Sequence, residues 1–213
     1  MKTDDLIAML SSGPDVGVVA RPARATAWPL LGGLFASVVL MLALLGLRPD
    51  LARAALLPAF WMKLVFSATL AWAGWLAAKR LCVPGARTTM LPLYLGWPVL
   101  LLWLMAGVTM LRASPEVRVD LFWGSTWRYC TILITLLSLP VFVAALGVMR
   151  GMAPTRLRLA GAAAGFAAGA SAAVVYCLHC PEMSAVFVGS WYLLGILIPT
   201  ALGAVVGPRA LAW

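Results

Sequence analysis

"LRLAGAAAGFAAGASAAVVYCL", residues 157 to 178, decides the fold. The stretch has a single charge, Arg158, at its second position. It exceeds the roughly 20 helical residues that cross a bilayer's hydrocarbon core. Gly161, Gly165 and Gly169 recur every fourth residue and line one stripe of that helix. Lipid tails are as apolar as leucine, so helices in a bilayer associate by close approach, and small residues at this spacing mark the contact face. The stripe reads as a helix packing seam, either inside one bundle or between two copies in a homo-oligomer.

Five more runs of the same kind lie on either side, giving six in all: about 28–47, 59–78, 90–111, 129–149, 157–178 and 185–206. Hydrophobic residues make up 63% of the chain and charged ones 11%, a balance outside the range of water-soluble domains. The fold class expected is all-α, a polytopic bundle of six transmembrane helices in the lipid bilayer. Residues 28–213 form that bundle, and residues 1–27 form a tail. The gaps "LRPDLARAALLP", "KRLCVPGARTT", "LRASPEVRVDLFWGSTWR", "RGMAPTR" and "HCPEMS" hold most of the charges and the helix-stopping Pro and Gly. The first run is too long for a signal-peptide core and follows 27 residues with as many acids as bases, so it is expected to stay in the mature protein.

Basic residues resist translocation and therefore orient the bundle. The tail, the second and fourth loops and the C-terminal end carry Lys2, Arg21, Arg24, Lys79, Arg80, Arg87, Arg150, Arg156, Arg158 and Arg209. The opposite side carries Arg48, Arg53, Arg112, Arg118 and Arg128. Both termini are expected to be cytoplasmic. The net charge of +9 then follows from topology and anionic head groups, which removes the argument for direct nucleic-acid binding.

Ion-coupled transporters place ionisable side chains near the midplane. The spans offer one, Lys63 in "PAFWMKL", about one turn inside the outer end of its helix. With Phe60 and Trp61 beside it, Lys63 reads as an interfacial anchor whose ammonium snorkels to the head groups.

Cys82 falls at the inner end of the second run; Cys130, Cys177 and Cys180 fall at outer ends. In a bacterium the outer side is oxidising. Three readings stay open there. One is a structural disulfide between Cys130 and either partner. Another is a sensing site in which His179 and Glu182 polarise a thiolate or join a soft metal's shell. The last is a C-x-x-C exchanger in "CLHC", making the protein a small membrane thiol-disulfide oxidoreductase or metal-handling protein. Only three outward cysteines and a single histidine are present, short of two cysteine pairs or a zinc set, so no metal or cofactor is assigned and no catalytic residue is named. The chain does not read as an enzyme.

The tail opens with "MKTDDLIAMLSSGPD", a short amphipathic helix. Thr3 can cap it, Asp4 and Asp5 suit the positive end of its dipole, and "SSGP" stops it. Leu6, Ile7 and Leu10 share one face. Membrane-surface helices carry Lys and Arg beside the apolar face, whereas this one carries aspartates, which favours a protein partner.

Taken together, "TDDLIAML", "LRPDL", "PAFWMKL", "WRYCTILI", "HCPE", "WYLLGILIP" and "GPRALAW", in this order, resemble the NrsF-type membrane anti-sigma factors, negative regulators of extracytoplasmic-function sigma factors in proteobacteria. The resemblance spans essentially the whole chain. It implies a multi-pass protein of the bacterial inner membrane that holds a cognate sigma factor inactive and releases it under metal or oxidative stress. It also implies that an outward pair of cysteines receives the signal, with Cys130 in "WRYC" and Cys180 in "HCPE" at the matching positions and Cys177 an extra. The His-x-x-x-Cys-x-x-Cys motif of zinc-binding anti-sigma factors is missing, so their cytoplasmic clasp is not implied. The first helix and the inner loops are left as the expected sigma contact.

Overall fold

The computed structural model describes residues 3–5, 9, 23–83, 88–152 and 154–212. Among them every regular element is helical: α1 (Ala23–Leu44), α2 (Leu51–Ala54), α3 (Pro58–Leu81), α4 (Leu91–Arg112), α5 (Pro115–Trp123), α6 (Trp127–Arg150), α7 (Leu157–Tyr176) and α8 (Ala185–Ala210). Six of these helices are long and apolar enough to cross a membrane. Leu6, Ile7 and Leu10 lie outside the described residues, as does Arg87; Thr3, Asp4, Asp5 and Met9 are helical and exposed.

The helices end where backbone chemistry dictates. The expected 28–47 span runs instead over Ala23–Leu44. Arg24 is accommodated at its start, and Gly46 at φ 71° turns the chain out, the N–H groups of Leu45 and Gly46 both returning to Met41 O at 2.9 and 3.1 Å. Proline opens α3 and α5 at a first-turn position, where a missing N–H costs nothing. α7 stops at Tyr176 and passes through turns in which the N–H groups of His179 and Cys180 both reach Tyr176 O.

α7 is the central rod. Of its most apolar stretch 78% is buried, against 11% for α4. It packs on α3, α6 and above all α8. The Gly161, Gly165 and Gly169 stripe lies against α8 within the same chain: a Cβ at Gly161 would strike Gly203 O, one at Gly165 would strike Pro199 O, and one at Gly169 would press on Pro199 and Ile196. The two backbones therefore touch with no side chains between them, the geometry that replaces hydrophobic exclusion in lipid. α4 stands off from α7 behind an apolar cleft of about 380 Å3, and Trp103 fastens it to α8 by donating from Nε1 to Gly189 O at 3.1 Å. That carbonyl belongs to a π turn over Val188–Tyr192, an irregularity that re-aims the side chains following it.

Candidate functional site

The motifs that carry Arg48, Lys63, Cys130 and Cys180 meet at one end of the bundle, where α1, α4 and α7 end and α3, α6 and α8 begin. Cys130 is in the first turn of α6, Cys177 caps α7, and Cys180 lies in the connection to α8; all three are buried, and all four cysteines are free thiols. The Cys130 and Cys180 thiols face each other, and Cys180 Sγ lies 3.9 Å from Thr126 Oγ1 at the start of α6. Cys177 turns toward α3 instead, its Sγ 3.7 Å from Ser67 Oγ and 4.0 Å from Lys63 O. One turn of sequence thus separates two thiols with different neighbours.

Lys63 corrects the reading of it as a snorkelling anchor. Its side chain is 0% exposed, and its ammonium donates to Cys180 O at 2.8 Å and Glu182 O at 3.0 Å. It also sits 5.8 Å from the centre of the Tyr192 ring. The physical reason is its angular position on α3, since Lys63, Ser67, Leu70 and Gly74 share the buried face. Trp61 is on the other side, half-exposed, donating from Nε1 to Ala55 O at 2.8 Å.

Cys180 O accepts a second cation. Arg48 donates to it from Nη1 at 3.3 Å while holding Asp50 through two bonds of 2.7 and 2.6 Å. This fork-to-fork pair raises the Arg48 pKa and lowers that of Asp50, in each case first through the hydrogen bond between them.

The side chains of His179 and Glu182 are engaged with the loops rather than the sulfurs. His179 Nδ1 donates to Gly46 O at 3.0 Å. The Glu182 carboxylate accepts from Ser125 N at 2.7 Å and from Ser125 Oγ at 2.8 Å. Gly124 beside it has φ 54° and ψ −170°, a region open to glycine alone, and an added Cβ would lie 2.8 Å from the Glu182 carboxyl carbon. Trp123, Trp127 and Trp191 stack over this end with centroids 4.6 to 5.5 Å apart, and Trp191 Nε1 donates to Phe122 O at 2.8 Å.

Cys180 is the activated thiol of the set. The hydrogen bond from Cys130 is the main cause that holds it below the usual thiol value; burial opposes this, and the Lys63 charge, the Tyr192 hydroxyl and the Glu182 N–H assist. A thiolate is the nucleophilic form of cysteine, so this sulfur can react with oxidants and electrophiles. Among the described residues no group of three His, Cys, Asp or Glu side chains is placed to hold a metal ion.

Residues 13–213 match the family described as NrsF, negative regulator of sigma F. The chain belongs to the NrsF family. Two NrsF relatives align over all of both chains: the probable anti-sigma-F factor NrsF of Azospira oryzae at 52% identity over 215 residues, and the anti-sigma-F factor NrsF of Caulobacter vibrioides at 39% over 220 residues. No solved structure matches this NrsF chain.

From its flanking aromatics Lys63 reads as interfacial; the signal that separates the alternatives is its four-residue spacing to Ser67, which sets the lysine on the buried face of α3. Arg48 as the second cation on Cys180 O left no comparable mark, because 132 residues separate the two.

Proposed function

We propose that this NrsF-family protein is an inner-membrane anti-sigma factor. It holds a sigma-F-type, extracytoplasmic-function sigma factor inactive on the cytoplasmic side and frees it when Cys130 and Cys180 react on the periplasmic side. Full-length identity of 52% to a protein named an anti-sigma-F factor carries this reading. The excess of Lys and Arg on the tail side supports cytoplasmic termini.

Binding uses the first helix, with Leu6, Ile7 and Leu10 as its apolar face and Asp4 and Asp5 at its start, together with the basic inner loops. Burying three aliphatic side chains supplies about 5 to 9 kcal/mol gross, and ordering the segment costs about 2 to 5, so the loops complete the grip. Release begins when a peroxide accepts two electrons and two protons from the thiol pair, leaving a Cys130–Cys180 disulfide and two waters. The new bond ties the start of α6 to the loop leaving α7. Because α7 touches α8 backbone to backbone, displacement at one end is carried to the other.

The test is a pull-down of the detergent-solubilised protein from its host, with and without its first 15 residues, reading retained proteins by mass spectrometry. A sigma factor retained by the full-length protein alone supports both function and contact. No sigma factor in either sample overturns the assignment.

A further inference from the structure

Lys63 is a cation enclosed on every side, yet the partners of its ammonium are the main-chain carbonyls of Cys180 and Glu182, and the nearby Asp50 carboxylate is held by Arg48. The Glu182 carboxylate is taken by Ser125. Two main-chain carbonyls satisfy the hydrogen-bonding of the ammonium but do not cancel its charge, and an uncompensated charge in an apolar interior is strongly disfavoured. The groups facing this site are Cys130 from α6, Tyr176 and Cys177 from α7, Tyr192 from α8, and Arg48 with the Glu182 main chain from the connections. With the Asp50 and Glu182 carboxylates taken by Arg48 and Ser125, the groups among the described residues that face the ammonium and can still supply negative charge are thiols and phenols. One sulfur is surrounded by donors: Thr126 Oγ1 lies 3.9 Å from Cys180 Sγ, and Cys130 and the Glu182 N–H face it. The Tyr192 hydroxyl, fully buried and without a hydrogen-bond partner of good geometry, faces it too.

We propose that Lys63 is the positioning residue of the thiol site: its ammonium pairs with a thiolate on Cys180, and any reaction that removes the charge from that sulfur strands the cation and loosens α3 from the 177–182 connection. The inference deepens the reading of Cys180 as a sensing thiol and rests on it. With a peroxide, the thiolate attacks one oxygen and expels hydroxide, leaving a neutral sulfenic acid. The Cys130 thiol then displaces water from that sulfur to give the disulfide. With an alkyl halide, sulfur takes the carbon and halide leaves, with no net oxidation. Both reactions turn an anionic sulfur into a neutral one, so chemically different stresses produce the same electrostatic event.

The experiment is a titration of thiolate ultraviolet absorbance in the detergent-solubilised full-length protein, with the Cys180→Ser protein subtracted. The wild type is expected to hold a Cys180 thiolate at neutral pH. In Lys63→Met its midpoint should move up toward the ordinary thiol value of about 8.5, with alkylation at neutral pH slowed about tenfold, and Lys63→Arg should restore both. An unchanged midpoint in folded Lys63→Met would overturn the proposal. If Lys63→Met does not accumulate, the wild-type titration decides, because a Cys180 that stays protonated at neutral pH overturns the proposal alone. In cells, Cys180→Ser should raise basal sigma-dependent transcription and Cys180→Asp, which keeps the charge, should not; equal effects count against the charge. The titration needs no sigma factor, so a failed pull-down and a failed thiolate are separately visible.

Discussion

The two ends of α7 are held in opposite ways. Along its length glycine brings its backbone against Gly203 and Pro199 of α8, with no polar side chain or charge taking part. At its end, Cys177 and Cys180 sit among a lysine, an arginine, two tyrosines and a serine, and the connection is held by hydrogen bonds to Lys63, Arg48 and Ser125. The first kind of contact depends on shape and is blind to solution chemistry. The second changes when a proton or a sulfur bond changes. A rigid seam joined to a reactive end is what a bundle needs to turn a local reaction into a displacement of whole helices.

The most severe way to break that contrast is to put bulk into the seam. Gly165→Leu drives a side chain into the Pro199 carbonyl, a backbone atom that cannot rotate away. The expected cost exceeds about 3 kcal/mol, enough to remove the monodisperse species from size-exclusion chromatography in detergent. At the reactive end Gly124→Ala forces alanine into glycine-only backbone space and against Glu182, for about 2 kcal/mol and a lower melting temperature.

Cys130→Ser should cost under about 1 kcal/mol, because a hydroxyl can still face Cys180, while peroxide then leaves Cys180 as a sulfenic acid and the Cys130–Cys180 disulfide no longer forms. Retained release in that variant, measured with a sigma-dependent reporter, would take the disulfide out of the mechanism.

Acid sharpens the comparison further. Cys180 is depressed in the folded protein, mainly by the hydrogen bond from Cys130, so its contribution to stability is complete above the unfolded thiol value of about 8.5. It fades as the pH falls through the lowered folded value. The melting-temperature advantage of wild type over Cys180→Ser should therefore shrink on acidification, whereas the penalty of a seam variant should not depend on pH. The smallest effect belongs to the lipid-facing helix: Leu104→Ala on α4, where the side chain is mostly exposed, should stay within about 0.5 kcal/mol.

The six long helices and the glycine stripe were legible because composition and a four-residue period are properties of single segments. Lys63 shows where that legibility stops. Its depth along α3 follows from counting residues, but its direction around the helix depends on which face meets α7, and Phe60 and Trp61 pointed to the membrane interface instead. His179 and Glu182 read in the sequence as chemistry-bearing residues near the thiols, yet both side chains are taken up by loop contacts, to Gly46 and Ser125. The π turn at Val188–Tyr192, which precedes α8's regular stretch and carries Tyr192, has no local sequence signal. Tertiary packing made each of these choices.

The carbonyl of Cys180 receives Lys63 from α3 and Arg48 from the connection before it, while its sulfur receives Cys130 from α6. The cations thus come from the first half of the chain and the thiols from the second. A gene cut between α4 and α5 would yield one polypeptide with both cations of the site and none of its three thiols, and another with the thiols and neither cation. Neither half inherits a reduced version of the site, and only co-expressed halves that reassemble in one bilayer would recover it.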